Sequence, residues 1–425
     1  MVKYLLLLLL FSWSSKAVTI EDAVSLAMQN SGDASIIEAQ NDLAFGTYIQ
    51  SFSSLLPNVN YAISQRLANN TTQPGGQQNI FSTLLGGSFQ GYHQLTANLD
   101  ISLYYSLPFI YFSGTNYKSA LYSGNAKSSE LVNKVVQVYV NIASSREMLN
   151  AAKIAQTIAN KKLEKSIILF DNKIISEIDL EQINVAVLEA EANILQIEAS
   201  LEKYESDYLF LTQSKLENTD LTKNYDTLPI QNIEEFEGLM MQKNQQLQVF
   251  KNDAEVSETQ NALSYLSLLP RFSLDYNRFD LGHGFVGNST SISDYFGVSM
   301  MIPIFDRGQS WTNIYLAAKK QKLANMTYSK QKQDIISGGK QIWINYKSLT
   351  KITKAKQIYV EIAEKNLAKI KQNYKNKITS DIDLLTEEYN LLQKKIDLID
   401  MKKNQIISYY TILSMAGINP LVNYK

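Results

Sequence analysis

The chain has 425 residues, 45% hydrophobic and 19% charged, with 40 Lys+Arg against 41 Asp+Glu. A net charge of −1 leaves no basic excess to neutralise phosphates, which argues against nucleic acid as a partner. There is no cysteine, so disulfides, thiolate metal sites and a lipidated cysteine are excluded, and any histidine-built catalytic or metal site would have to come from His93 and His283, the only two histidines. The expectation is a non-enzyme without cofactor or metal.

The N-terminus reads as a secretory signal peptide over residues 1–17. Lys3 is basic, Tyr4 to Phe11 is an apolar run, and Ser15-Lys16-Ala17 offers the small residues of a cleavage site. No later segment is apolar for long enough to be a membrane-spanning helix, so a membrane role requires a β-barrel.

The first structural repeat is expected over 18–215. Thr19 caps its first helix. Val59, Tyr61 and Ile63 mark a strand near 58–67, and Ala97, Leu99, Ile101, Leu103, Tyr105 and Leu107 alternate with polar residues over a second strand near 95–107. Apolar-out, polar-in segments of this kind mark outer-membrane strands. A helix from near Phe112 to Asn172 follows, spanning roughly 90 Å. Its residues from Leu131 to Phe170 step by four and three, as in a coiled-coil seam. Ser176, with Asp179 three residues on, opens the next helix as a capping box. A polar linker, 216–232, carries Pro229.

The second repeat is expected over 233–417, with Asn232 as its first cap and strands near 271–279 (Phe272, Leu274, Tyr276) and 294–304 (Phe296, Val298, Met300, Ile302, Ile304). Ser380 and Asp383 repeat the capping box, and Ile382 to Leu413 repeat the heptad stepping. A tail, 418–425, ends the chain. The halves are duplicates in sequence as well. Ile20-Glu21-Asp22 and Leu55-Leu56-Pro57 recur 213 residues on, and Asn172–Leu180 recurs at Asn376–Leu384 with seven of nine positions identical. No proline lies in 109–228 or 304–419, as two long helical hairpins require.

The fold class is therefore mainly α with a membrane β-barrel part, built from a duplicated helix-strand-strand-helix-helix repeat. Four strands cannot close a barrel, and an open sheet in lipid leaves unpaired edges. Two, three or four copies would give 8, 12 or 16 strands, and the pattern alone does not choose.

These residues resemble the TolC-like outer-membrane efflux protein family over nearly the whole mature chain. The marks are Thr-Ile-Glu-Asp-Ala-Val at 19–24, Leu-Leu-Pro before the first strand of each half, Pro303-Ile304-Phe305-Asp306-Arg307-Gly308 after the last, and the spaced Ser…Asp-Leu at both hairpin tips. The resemblance implies a homotrimer whose 12 strands form one outer-membrane barrel and whose 12 helices continue as a periplasmic tunnel. It implies an exit duct for drugs or proteins, working with an inner-membrane pump and a periplasmic adaptor and bordered by outer-membrane lipid. Cargo, efflux or type I protein secretion, stays open. By the same resemblance, Asp383 matches a constriction aspartate, and Tyr374 and Asp179 match a hydrogen-bonded pair that closes the duct. Lys173-Ile174-Ile175 and Lys377-Ile378-Thr379 match the adaptor-contact tips. Lys173 and Lys377 stand where the family usually has Gly, and Thr379 stands where some members carry a basic residue. A trimeric coiled-coil adhesin would gather its strands at one end, and an ordinary porin would need eight or more strands per chain. Neither suits strand pairs that twice interrupt long helices.

Overall fold

The computed structural model describes residues 18–68, 88–221, 223, 225–282 and 289–418. The expected signal peptide, His283 and all but the first residue of the expected tail lie outside them. Helices α1 (Ile20–Asn30) and α2 (Gly32–Ser51) lead through a 3-10 turn, Phe52–Leu55, to strands β1 (Asn58–Ala68) and β2 (Ser88–Asp100). Helices α3 (Leu103–Asp171) and α4 (Glu177–Thr212) close the first half. The order then repeats as α5 (Ile233–Lys243), α6 (Gln245–Leu266), β3 (Arg271–Gly282), β4 (Ser289–Met301), α7 (Gln309–Lys375) and α8 (Asp381–Met415).

Three expectations need correction. Each half opens with two helices, not one. The break falls at Ser31 and Asn244, whose side chains accept the N–H of Ala34 (3.0 Å) and Leu247 (2.9 Å) as fresh N-caps. Those two residues are themselves 213 apart, so the break belongs to the duplication. The second strand ends at Asp100, short of Leu107. The Asp100 carboxylate accepts the Ser102 N–H at 2.8 Å, turning the chain, and Ser102 Oγ accepts the Phe272 N–H at 2.8 Å. Leu103 and Leu107 then serve a helix, because residues four apart share a helix face as readily as alternate residues share a strand face. Pro108 is the sixth residue of that helix and lies inside it, in the second turn, where it removes one backbone hydrogen-bond donor. The last strand likewise ends at Met301, leaving Ile302, Pro303 and Ile304 outside it.

The chain forms two compact units, each assembled from both halves. One holds the described residues within 40–121 and 250–328. Its centre is an antiparallel four-stranded sheet in the order β1-β2-β3-β4. Register places Val59, Ala97, Tyr276 and Phe296 in one cross-strand row, with Leu99, Leu274 and Val298 in the next such row on that face. This face is apolar and open, Phe296 being 71% and Val298 67% exposed. The opposite face is polar: Asn98 donates to Asp275, and Ser273 and Ser299 share a hydrogen bond of 2.6 Å. Within this unit Asn252 Nδ2 donates to the Thr115 carbonyl at 3.1 Å, and Asn261 Nδ2 to Gln321 Oε1 at 2.7 Å.

The other unit holds the remaining described residues up to 39, then 122–249 and from 329 onward. Its core gathers Ile20 and Val24 of α1, Val135, Tyr139 and Ile142 of α3, Tyr208 and Leu211 of α4, Phe236 and Met240 of α5, Trp343 of α7 and Ile412 of α8. Burying an aliphatic side chain of this kind contributes about 1.5–3 kcal/mol. The seam residues Leu131, Val135, Val138 and Ile142 of α3, and Leu385, Ile406, Tyr410 and Leu413 of α8, are buried as their heptad spacing requires. Among the described residues no helix is long and apolar enough to cross a membrane.

Candidate functional site

Both helical hairpins of this second unit end in the same turn. At the first, Ile174 N–H donates to Leu169 O and Lys173 N–H to Phe170 O; at the second, Ile378 N–H donates to Asn373 O and Lys377 N–H to Tyr374 O. This paired 6→1 and 5→2 pattern is a Schellman motif, with its left-handed position at Lys173 (φ 58°) and Lys377 (φ 59°). Glycine is favoured there because a Cβ is strained at positive φ. The two lysines carry that strain in solvent.

The next helix begins at once. Ser176 Oγ accepts the Asp179 N–H at 3.2 Å, while Asp179 Oδ2 accepts from Ser176 Oγ (2.7 Å) and N (3.0 Å). Ser380 and Asp383 repeat it at 3.1, 2.7 and 3.2 Å. The Ser176 hydroxyl, and after it the Ser176 N–H, hold the Asp179 carboxyl below the ordinary aspartate value; Ser380 does the same to Asp383. Both carboxylates are solvent-exposed and stay ionised at neutral pH.

The tips are apolar where they meet water. Ile174 is 66% and Ile378 71% exposed, and Ile175 is half-buried. Thr379 Oγ1 donates to the Ile370 carbonyl at 3.5 Å, folding the second tip back on its own helix. Tyr374 is 39% exposed, and among the described residues no hydrogen bond joins it to Asp179. The carboxylate oxygen in question is engaged by Ser176. An ion pair that the sequence reading missed, Lys165 with Asp381, ties α3 to the start of α8. No local spacing signals a pair drawn from different halves of the chain. A cavity of about 250 Å³ lies near the tips, lined by Ile158 and Lys162 of α3, Gln182 and Ile183 of α4, and Thr386 and Tyr389 of α8. Among the described residues no cluster of His, Asp or Glu could hold a metal ion.

No protein-family model matches the chain, and no curated protein does. Solved structures do. CusC, studied for its folding and transmembrane channel formation, superposes with a TM-score of 0.76 at 17% identity, over 94% of this chain and 92% of that one. The outer membrane channel CmeC of Campylobacter jejuni gives 0.77 at 17% identity, over 94% and 85%. The open state of the outer membrane channel MtrE of Neisseria gonorrhoeae gives 0.76 at 14% identity, over 94% and 89%. The chain has the fold of these TolC-like channels.

Proposed function

We propose that the chain is one protomer of a trimeric outer-membrane exit duct, reaching into the periplasm of a Gram-negative bacterium. The observation that carries this is the sheet. It has four strands, one apolar and one polar face, and its outer strands β1 and β4 each pair on one side only among the described residues. In lipid such edges must be satisfied, and copies of the same chain supply the missing strands. The polar face then lines a water-filled lumen while the apolar face meets outer-membrane lipid. The fold it shares with outer membrane channels supports the reading. The duct performs no catalysis.

Work at the periplasmic end falls to the tips. Ile174 and Ile378, with Lys173, Ile175, Lys377 and Thr379 around them, offer an apolar surface with a basic rim that suits a periplasmic adaptor, which in turn couples the duct to an inner-membrane pump. Three copies of Asp383 would set a negative ring at the constriction, and Tyr374 with Asp179 would form the latch after Ser176 releases the carboxylate. The cargo is small molecules in efflux; secreted protein is the rival cargo. Single-channel recording in planar bilayers tests the duct. Discrete cation-preferring conductance steps are expected, with the preference reduced in Asp383→Asn. A protein that never opens a conducting path in bilayers, whether unaltered or with Tyr374→Phe and Asp179→Ala combined, would contradict the proposal.

A further inference from the structure

The polar face of the sheet is built mostly from small neutral side chains. By register, Asn60, Thr96 and Asn277 share a cross-strand row with Tyr295, and Asn58, Asn98 and Asp275 share the next with Gly297. Two groups break the pattern. The first is the Asp275 carboxylate. Asn98 Nδ2 donates to its Oδ1, and Ser273 Oγ (3.1 Å) and Ser299 Oγ donate to its Oδ2. These are neutral donors, so they fix the carboxylate in place without cancelling its charge. Among the described residues the sheet's ion pair, Arg278 with Asp280 at 3.5 Å, lies on the opposite face. The second group is an aromatic ring. Tyr295 is 58% exposed and makes no hydrogen bond or ring contact among the described residues. Phe279, half-buried, stands diagonal to it across the β3–β4 pair, within reach of a long side chain.

Ring and carboxylate adjoin at a glycine. Asp275 is the diagonal neighbour of Tyr295 on the side away from Phe279, and Gly297 stands directly opposite Asp275. A Cβ added at Gly297 would meet a single atom within 4 Å, Tyr295 Cδ2 at 4.0 Å. Side chains two apart on one strand face stand further from each other than this, so the Tyr295 ring leans along β4 toward the glycine. The result is an open notch with a tyrosine ring on one side, a fixed carboxylate on another and bare backbone at its floor.

We infer that the notch formed by Asp275, Gly297 and Tyr295 binds organic cations with an aromatic or apolar body, and that these are the cargo the exit favours. This rests on the proposed duct and names its cargo class. A cation beside a tyrosine ring is drawn to the electron-rich face, and the carboxylate adds its own attraction. An N-alkyl group enters the space that Gly297 leaves, while Tyr295 and Phe279 cover the apolar body. An inorganic cation gains from Asp275 alone, and an organic anion of the same shape is repelled by it. Each copy around the lumen contributes one notch. Several weak sites of this kind suit conduction, because a cargo must leave as readily as it enters.

Benzyltriethylammonium tests the site. Tetraethylammonium serves as the cation without a ring, and benzenesulfonate as the ring with the opposite charge. The full chain in lipid discs is titrated with each and followed by saturation-transfer NMR. Saturable transfer to the benzyl protons is expected, with weaker binding of tetraethylammonium and none of benzenesulfonate. Asp275→Asn, Tyr295→Ser and Gly297→Val should each weaken binding about threefold or more, whereas Tyr295→Phe should retain it. In planar bilayers the same cation should reduce single-channel current through the unaltered chain, and reduce it less in those three variants. Binding that all three variants leave unchanged, equal binding of benzenesulfonate, or no saturable binding by the unaltered chain overturns the site while a conducting channel leaves the duct standing. A chain that never conducts overturns the duct, and the NMR titration then decides the site by itself.

Discussion

Three helix ends in the helical unit use one backbone device with different residues. Lys173, Lys377 and Gly417 all have positive φ, and Gly417 repeats the motif through Ile418 N–H to Leu413 O. At Gly417 a Cβ would lie 2.4 Å from the backbone oxygen of Lys243, an atom that cannot step aside. Nothing comparable confines the two lysines, which are exposed. Relief of left-handed strain, about 1–2 kcal/mol, outweighs the ~1 kcal/mol entropic cost of glycine. Lys173→Gly and Lys377→Gly should each stabilise the hairpins by up to about 1 kcal/mol, whereas Gly417→Ala should destabilise by more than about 1 kcal/mol. Thermal midpoints by circular dichroism would check both signs. If the lysines are kept for contact with an adaptor, the two glycine variants will be more stable and export less.

At the scale of elements, the linker between the halves is held by tyrosines. Tyr139 OH accepts the Asp220 N–H at 2.7 Å and donates to the Val18 carbonyl, while Tyr346 OH donates to the Tyr225 carbonyl at 2.6 Å. Burial pushes the phenols of Tyr139, Tyr225 and Tyr346 up to about 12, and raises those of Tyr208 and Tyr410 as well. Ionisation is thus easier in the unfolded chain, near pH 10, than in the folded one. Their contribution is full below pH 10 and is lost as pH climbs from 10 through about 12. Alkaline unfolding, followed by circular dichroism, should begin above pH 10, and Tyr139→Phe should lower stability at neutral pH while making its fall between pH 10 and 12 shallower. A midpoint flat to pH 12 would contradict this account.

The long helices, both capping boxes and the strand faces were legible because each rests on short-range spacing. A seam of threes and fours, a Ser with Asp three residues on, and alternation across a strand all fit within a dozen residues. The strand ends were not legible, because Leu103 and Leu107 satisfy both periods and the deciding contact, Ser102 with Phe272, spans 170 residues. The helix breaks at Ser31 and Asn244 left a signal at the 213-residue offset, in residue types that favour caps. The tip site was legible only in part. Its exposed isoleucines and caps follow from the local pattern, but which carboxylate meets which tyrosine depends on packing between hairpins, and Asp179 is bonded to Ser176.

At the scale of the whole molecule, everything rests on copies completing what one chain leaves open. Among the described residues the outer strands β1 and β4 of the sheet each pair on one side only. Two and four copies would also multiply the strands, to eight and sixteen, so copy number is the discriminating quantity. Its most direct measure is the mass of the assembly released in native lipid discs from the outer-membrane fraction of expressing cells. With 48.0 kDa per full chain, the account predicts a single species of three chains, about 140 kDa of protein once a leader is removed. A monomer, an even-numbered assembly, or recovery of the protein only outside the outer membrane would contradict it.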